Sequence, residues 1–183
     1  GFDVIIIETV GVGQSETVVA EMTDVFLALM LPGAGDELQG IKRGLIELAD
    51  LLAVNKADGD RMHAAKMAVG EYRTALSCMQ KRHPRWQTPV LTCSASTGDG
   101  LAELWTKICA YHSLLKGDGT LAERRQAQNL KWMWQQVDER LRRQLRDHPD
   151  VRQLTEEVEQ QVAGGDLPAT AAAERIVDAF IRG

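Results

Sequence analysis

Asn55-Lys56-Ala57-Asp58 places a carboxylate three residues beyond an amide, directly after the apolar run Leu51-Leu52-Ala53-Val54. A carboxylate at Asp58 can accept two hydrogen bonds from guanine, one from the ring N–H and one from the exocyclic amine. Adenine presents an acceptor where guanine presents the ring donor, so it would leave the acid unpaired, at about 1–3 kcal/mol per buried group. In this reading Asn55 fixes the loop and the stem of Lys56 lies along the base. The bland alternative is a helix-capping loop, since Asp58 and Asp60 could also cap a following helix. Ser94-Ala95, after Val90-Leu91-Thr92-Cys93, matches a loop that offers a backbone N–H to the guanine oxygen, with an ordinary turn as its alternative.

Glu8-Thr9-Val10-Gly11 stands where GTP-binding proteins carry D-x-x-G. An acid at Glu8 would hold a water on Mg²⁺, and the glycine N–H would sense a γ-phosphate. Thr9, Gly11 and Gly13 then belong to a switch segment, and Gln14 could orient a water or merely stabilise that segment. A second glycine-containing loop, Pro32-Gly33-Ala34-Gly35-Asp36, runs toward a helix that Asp36 could cap. It lacks the Lys-Ser/Thr of a phosphate loop, and no G-x-x-x-x-G-K-[ST] occurs anywhere in the 183 residues. The expectation is the back part of a nucleotide switch, which by itself would bind phosphates poorly and hydrolyse nothing.

Such residues need a scaffold that gathers them. β-Branched and apolar runs predict strands at Asp3–Glu8, Asp24–Leu31, Leu51–Asn55 and Pro89–Thr92, alternating with helices near 36–48, 60–82 and 100–116. That rhythm argues for an α/β fold with a parallel sheet covered by helices, whose ligands gather at the carboxyl ends of the strands. Val25–Leu31, the longest apolar stretch, fits a buried strand. The remainder reads as helical. Thr120-Leu121-Ala122-Glu123 is a capping box, and Leu130, Trp134, Val137, Leu141 and Leu145 make an apolar stripe that Pro149 ends. Val151, Leu154, Val158 and Val162 form a second stripe stopping at Gly164-Gly165. A third helix begins near Pro168 with Ile176, Val177 and Phe180 on its inner side. Trp132 and Trp134 cannot share one narrow face, so one of them is expected against the nucleotide domain or a second subunit. The division expected is 1–116 for the nucleotide domain and 117–183 for a helical dimerisation domain.

Composition is that of an ordinary folded chain, 44% hydrophobic and 26% charged. A net charge of −5 argues weakly against nucleic acid as a partner, and the basic residues between Arg124 and Arg146 are interleaved with acids as on a solvated helix face. No run of residues is long and apolar enough to cross a bilayer, so no membrane partner is expected. Three cysteines without a C-x-x-C and four scattered histidines give little support for a metal cluster. Reduced thiols and a cytoplasmic location are the expectation.

Taken together, Glu8-Thr9-Val10-Gly11-Val12-Gly13-Gln14-Ser15-Glu16, the loop from Leu31 to Lys42 and Asn55-Lys56-Ala57-Asp58 resemble one family. It is the methylmalonyl-CoA mutase-associated GTPases, the MeaB/ArgK group, formerly called LAO/AO transport ATPases, in the metallochaperone-like SIMIBI branch of P-loop GTPases. The resemblance implies binding of GTP and GDP with Mg²⁺ and slow hydrolysis. It implies a homodimer through C-terminal helices and a role as chaperone of adenosylcobalamin-dependent methylmalonyl-CoA mutase, in cofactor loading and protection. It also implies that Asp36 and Lys42 lie on a third switch that the partner enzyme influences. Two other readings are a metal-delivery GTPase of the same branch, whose Cys/His cluster is not seen here, and a non-catalytic dimerisation or interaction module.

Overall fold

The computed structural model describes residues 1–9, 15–32 and 41–182. They divide into two compact units, Gly1–Gln128 and Asn129–Gly183.

Three parallel strands form the sheet of the first unit: β1 (Leu27–Met30), β2 (Leu51–Val54) and β3 (Val90–Thr92), in that spatial order. The register sets Leu27 beside Leu51 and Met30 beside Val54, then Leu52 beside Val90 and Val54 beside Thr92. β2 is the central strand and all four of its side chains are buried. Leu52 and Val54 join Ala28, Met30, Ile46, Ala65 and Tyr72, from α2 (Ile41–Leu48) and α3 (Met62–Ser77) as well as β1, and Ala20 of α1 (Ser15–Met22) adds to them. Leu51 and Ala53 face the other way, onto Leu104, Tyr111 and Leu115 of α4 (Leu101–Gly117) and Leu121 at the start of α5 (Thr120–Asp147). The continuous apolar run of β2 is thus explained by helices on both faces of a parallel sheet. β1 differs from the expectation of a buried strand: Leu29 is 59% exposed, so only alternate residues of β1 are covered.

Asp3–Glu8 is not a strand. Val4, Ile5, Ile6 and Ile7 are exposed, and β-branched composition makes a ladder only where a neighbouring strand accepts and donates the hydrogen bonds. Among the described residues none does.

The foot of the sheet is tied together by Asp50, which is 1% exposed. Its carboxylate accepts from Phe26 N–H at 2.9 Å and from the Tyr111 hydroxyl at 2.8 Å, and pairs with Arg124 at 3.3 Å and Arg82 at 3.4 Å. Trp86 Nε1–H donates to the Asp50 carbonyl at 2.9 Å. Arg125 grips Asp24 with two hydrogen bonds of 2.9 and 2.6 Å and holds that carboxyl below its ordinary range, and Gln128 Nε2 donates to Thr23 O at 2.9 Å. The opening turns of α5 therefore belong with the first unit.

The capping box at Thr120 does not form as expected. Glu123 N–H goes to Gly119 O at 3.3 Å, while Asp118 accepts the Thr120 N–H at 3.2 Å and also its hydroxyl. Asp118 thus takes the Thr120 N–H that the Glu123 carboxylate would accept in a capping box, and the Gly119 carbonyl takes the Glu123 N–H that the Thr120 hydroxyl would accept. The Thr120 hydroxyl, with Arg85 beside it, holds Asp118 well below the usual carboxylate range.

In the second unit α6 (Pro149–Gly164) and α7 (Ala169–Arg182) pack on each other. Pro149 occupies the first turn of α6, where its missing N–H costs nothing, and Gly165 closes the helix at φ 80°. Val151 and Val158 are buried, and the His148 ring meets Phe180 edge-on at 5.4 Å. Ala172 is the buried residue of α7, whereas Val177, expected inside, is exposed.

Candidate functional site: a guanine-type base pocket

The chain leaves β1, β2 and β3 at one edge of the sheet, and backbone bonds lace the exits together. Asn55 N–H donates to Met30 O at 2.8 Å, Cys93 N–H to Val54 O at 2.9 Å, and Ala57 N–H to Cys93 O at 3.0 Å. Asn55 then joins two loops through one atom. Its Oδ1 accepts the N–H of Lys56 at 2.8 Å and of Ala95 at 3.2 Å. Lys56 adopts φ 59°, a left-handed conformation that costs a non-glycine residue about 1–2 kcal/mol. The bond to Asn55 helps to hold it there.

Asp58 lies opposite Ser94 and Ser96. The hydroxyl of Ser94, fully buried, donates to Asp58 Oδ2, and the hydroxyl of Ser96 reaches the same oxygen at 3.0 Å. Ser94 first, and Ser96 next, lower the Asp58 pKa, so the carboxylate stays ionised as an acceptor. Ser94 N–H donates to Asp99 O at 2.9 Å and Thr97 N–H to Ser94 Oγ at 3.3 Å. Gly100 closes the turn at φ 76°; a Cβ there would run into Thr92 O and lie 3.1 Å from Cys93 Cα. Only glycine fits.

Of the residues expected at a site, the structure brings Asn55, Asp58, Ser94 and Ala95 together, with Lys56 exposed beside them. Glu8 is exposed and Thr9 half-buried, and among the described residues no hydrogen bond or ion pair joins either to this cluster. Gly11, Gly13, Gln14 and Asp36 fall outside the described residues, as does the side chain of Lys42. Among the described residues no group of three or more His, Cys, Asp or Glu could hold a metal. Mg²⁺ that keeps waters and phosphate oxygens needs only one or two carboxylates, and a lone acid such as Glu8 fits that chemistry.

The family described as "Methylmalonyl Co-A mutase-associated GTPase MeaB" matches residues 1–150. The chain belongs to the MeaB family. A "Putative GTPase" of Caulobacter vibrioides is 53% identical over 180 residues, covering 98% of this chain and 55% of that protein. The MeaB-family chain is also 41% identical over 180 residues to "Methylmalonic aciduria type A homolog, mitochondrial" of Mus musculus, covering 98% of this chain and 43% of the mouse protein. "GTPase ArgK" of Escherichia coli is 46% identical over 139 residues, 76% of this chain and 42% of that one. Among solved structures, "Crystal structure of LAO/AO transport system kinase" superposes with a TM-score of 0.73 at 36% identity, covering all of this chain and 58% of that chain. The fold is therefore that of part of a P-loop GTPase domain followed by a helical C-terminal region. This MeaB-family chain spans about half the length of the curated relatives it matches.

Sequence reasoning passed over Ser96, although a third small hydroxyl-bearing or backbone-exposing residue directly after Ser94-Ala95 is a visible signal. It also passed over Asp50, an acid set against the apolar run of β2.

Proposed function

We propose that the intact protein binds guanine nucleotides with Mg²⁺ and hydrolyses GTP, and that Asn55, Lys56, Asp58, Ser94 and Ala95 form its base-recognition pocket. The observation that carries the reading is the Asp58 carboxylate, kept ionised and aimed by two serine hydroxyls at the carboxyl edge of a parallel sheet. Guanine supplies two parallel N–H donors to such an acid, and adenine does not. Glu8 would hold a water on Mg²⁺, Thr9, Gly11 and Gly13 would form the switch that senses the γ-phosphate, and Asp36 and Lys42 a further switch. Gln14 would act on the attacking water.

The proposal extends to the protein's work: chaperoning an adenosylcobalamin-dependent methylmalonyl-CoA mutase in the cytoplasm. Its support is the family's description as mutase-associated and the name of the mouse relative. Residues 117–183 would act as the dimerisation domain, a reading supported by the exposed apolar row of α5.

Equilibrium binding to the intact protein tests the core of the reading. GDP binds far more tightly than ADP, and Asp58→Asn shifts preference from guanine toward xanthine. Equal affinity for GDP and ADP, or retained guanine preference in the variant, overturns it.

A further inference from the structure

We infer that Ser96 is a specificity-determining positioning residue, whose hydroxyl fixes the plane of the Asp58 carboxylate for a base with two adjacent donors; this rests on the guanine reading of the pocket. Its Oγ lies 3.0 Å from Asp58 Oδ2 and 2.9 Å from Ser94 Oγ, closing a triangle of three polar groups. Ser94 is fully buried and immobilised by the Thr97 N–H, so it supplies one fixed point on the acid. One hydrogen bond still lets a carboxylate turn about its Cβ–Cγ bond. A second donor on the same oxygen, from another direction, removes that freedom and puts both serine bonds on Oδ2.

The triangle also explains how the acid is released to a ligand. A hydroxyl has one proton, and the Ser96 proton has two acceptors within reach. When a base N–H claims Oδ2, that proton can pass to Ser94 Oγ without loss of a hydrogen bond. Ser96 thus holds the empty pocket in its binding geometry and does not block it, and the ordering cost is met before the ligand arrives.

The test compares GDP with IDP, whose hypoxanthine lacks the exocyclic amine and so offers the acid one donor in place of two. In the intact protein, Ser96→Ala lowers GDP affinity roughly three- to tenfold. It lowers IDP affinity less, so the GDP/IDP ratio falls, and Ser96→Thr, which keeps the hydroxyl, restores both. Because Ser96 is exposed, the thermal melt of the alanine variant stays at the parent value. An unchanged ratio, whether both affinities hold or both fall together, overturns the role of Ser96 and leaves the guanine pocket standing. A parent protein with no preference for GDP over ADP overturns the pocket and this role with it.

Discussion

Ala95 donates its backbone N–H to the side chain of Asn55, 40 residues earlier in the chain, at 3.2 Å. One amide oxygen therefore splices the loop after β2 to the loop after β3. Of the loop expected to offer a backbone N–H to the guanine oxygen, the Ala95 N–H is engaged by protein in this structure.

Asn55→Ala leaves the N–H groups of Lys56 and Ala95 without that acceptor and frees the left-handed turn at Lys56. The loss is about 1–3 kcal/mol in nucleotide binding, with a smaller effect on the melting temperature. Calorimetric titration with GDP reads the first and a thermal melt the second.

The depressed pKa of Asp58 fixes the sign of an acid titration. Its ionised form is bonded by Ser94 and Ser96 in the folded protein. The contribution of those bonds is fully present above the ordinary carboxylate pKa of about 4 and is lost as pH falls through the lower folded value. The ratio of GDP to ADP affinity, in which the phosphates titrate alike, should hold level from neutrality down to about pH 5. A ratio that already halves near pH 6 would contradict the arrangement.

Gly100→Ala is expected to destabilise the first unit by about 2 kcal/mol or more, because strain at positive φ adds to the clash with Thr92 O. Chemical denaturation measures it. Gly98→Ala is the comparison: its φ is 83° but its Cβ would meet nothing within 4 Å, so it should cost less.

Tyr111 sits between Asp50 and Arg124, and its hydroxyl pKa is pushed up to about 12 by burial and by the Asp50 charge. A raised phenol pKa contributes stability that is full below about pH 10 and is lost as pH rises through 12. Ultraviolet titration should find this tyrosine ionising late. Tyr111→Phe costs about 1–3 kcal/mol, and Arg124→Ala about 3–5 kcal/mol, since it leaves a buried carboxylate short of a cation.

Along α5, Leu130, Trp134, Val137 and Leu141 are 55%, 61%, 37% and 51% exposed. If this row forms the subunit contact, Val137→Glu with Leu141→Glu converts the intact protein to monomer in sedimentation velocity while its nucleotide affinity holds. An unchanged dimer places the contact elsewhere.

The residues that carried most information in the sequence were those with a local physical signature. β2 was legible because a short apolar run that ends in a polar loop suits a strand covered on both faces. The helix ends at Pro149 and Gly165 were legible because proline and glycine act on their own backbone. Asp3–Glu8 misled, since ladder pairing depends on a neighbour that composition cannot supply. The Thr120 box misled because its competitor, Asp118, is settled by the geometry of the preceding turn. The two loops of the candidate site were legible as motifs, but not the way Asn55 and Ser96 join them, which depends on long-range packing.

The Asp50 hub has a consequence in time. Its bonds to Phe26, Tyr111 and Arg124 close stretches of 24, 61 and 74 residues onto a single side chain. Each closure costs chain entropy that grows with its length, so this joint is expected to tighten after the local helices and turns have formed, with a low φ-value at Asp50 as the check. On the ribosome, the carboxyl edge of β2 can be assembled while Asp50 at its other end still waits for Arg124 to emerge.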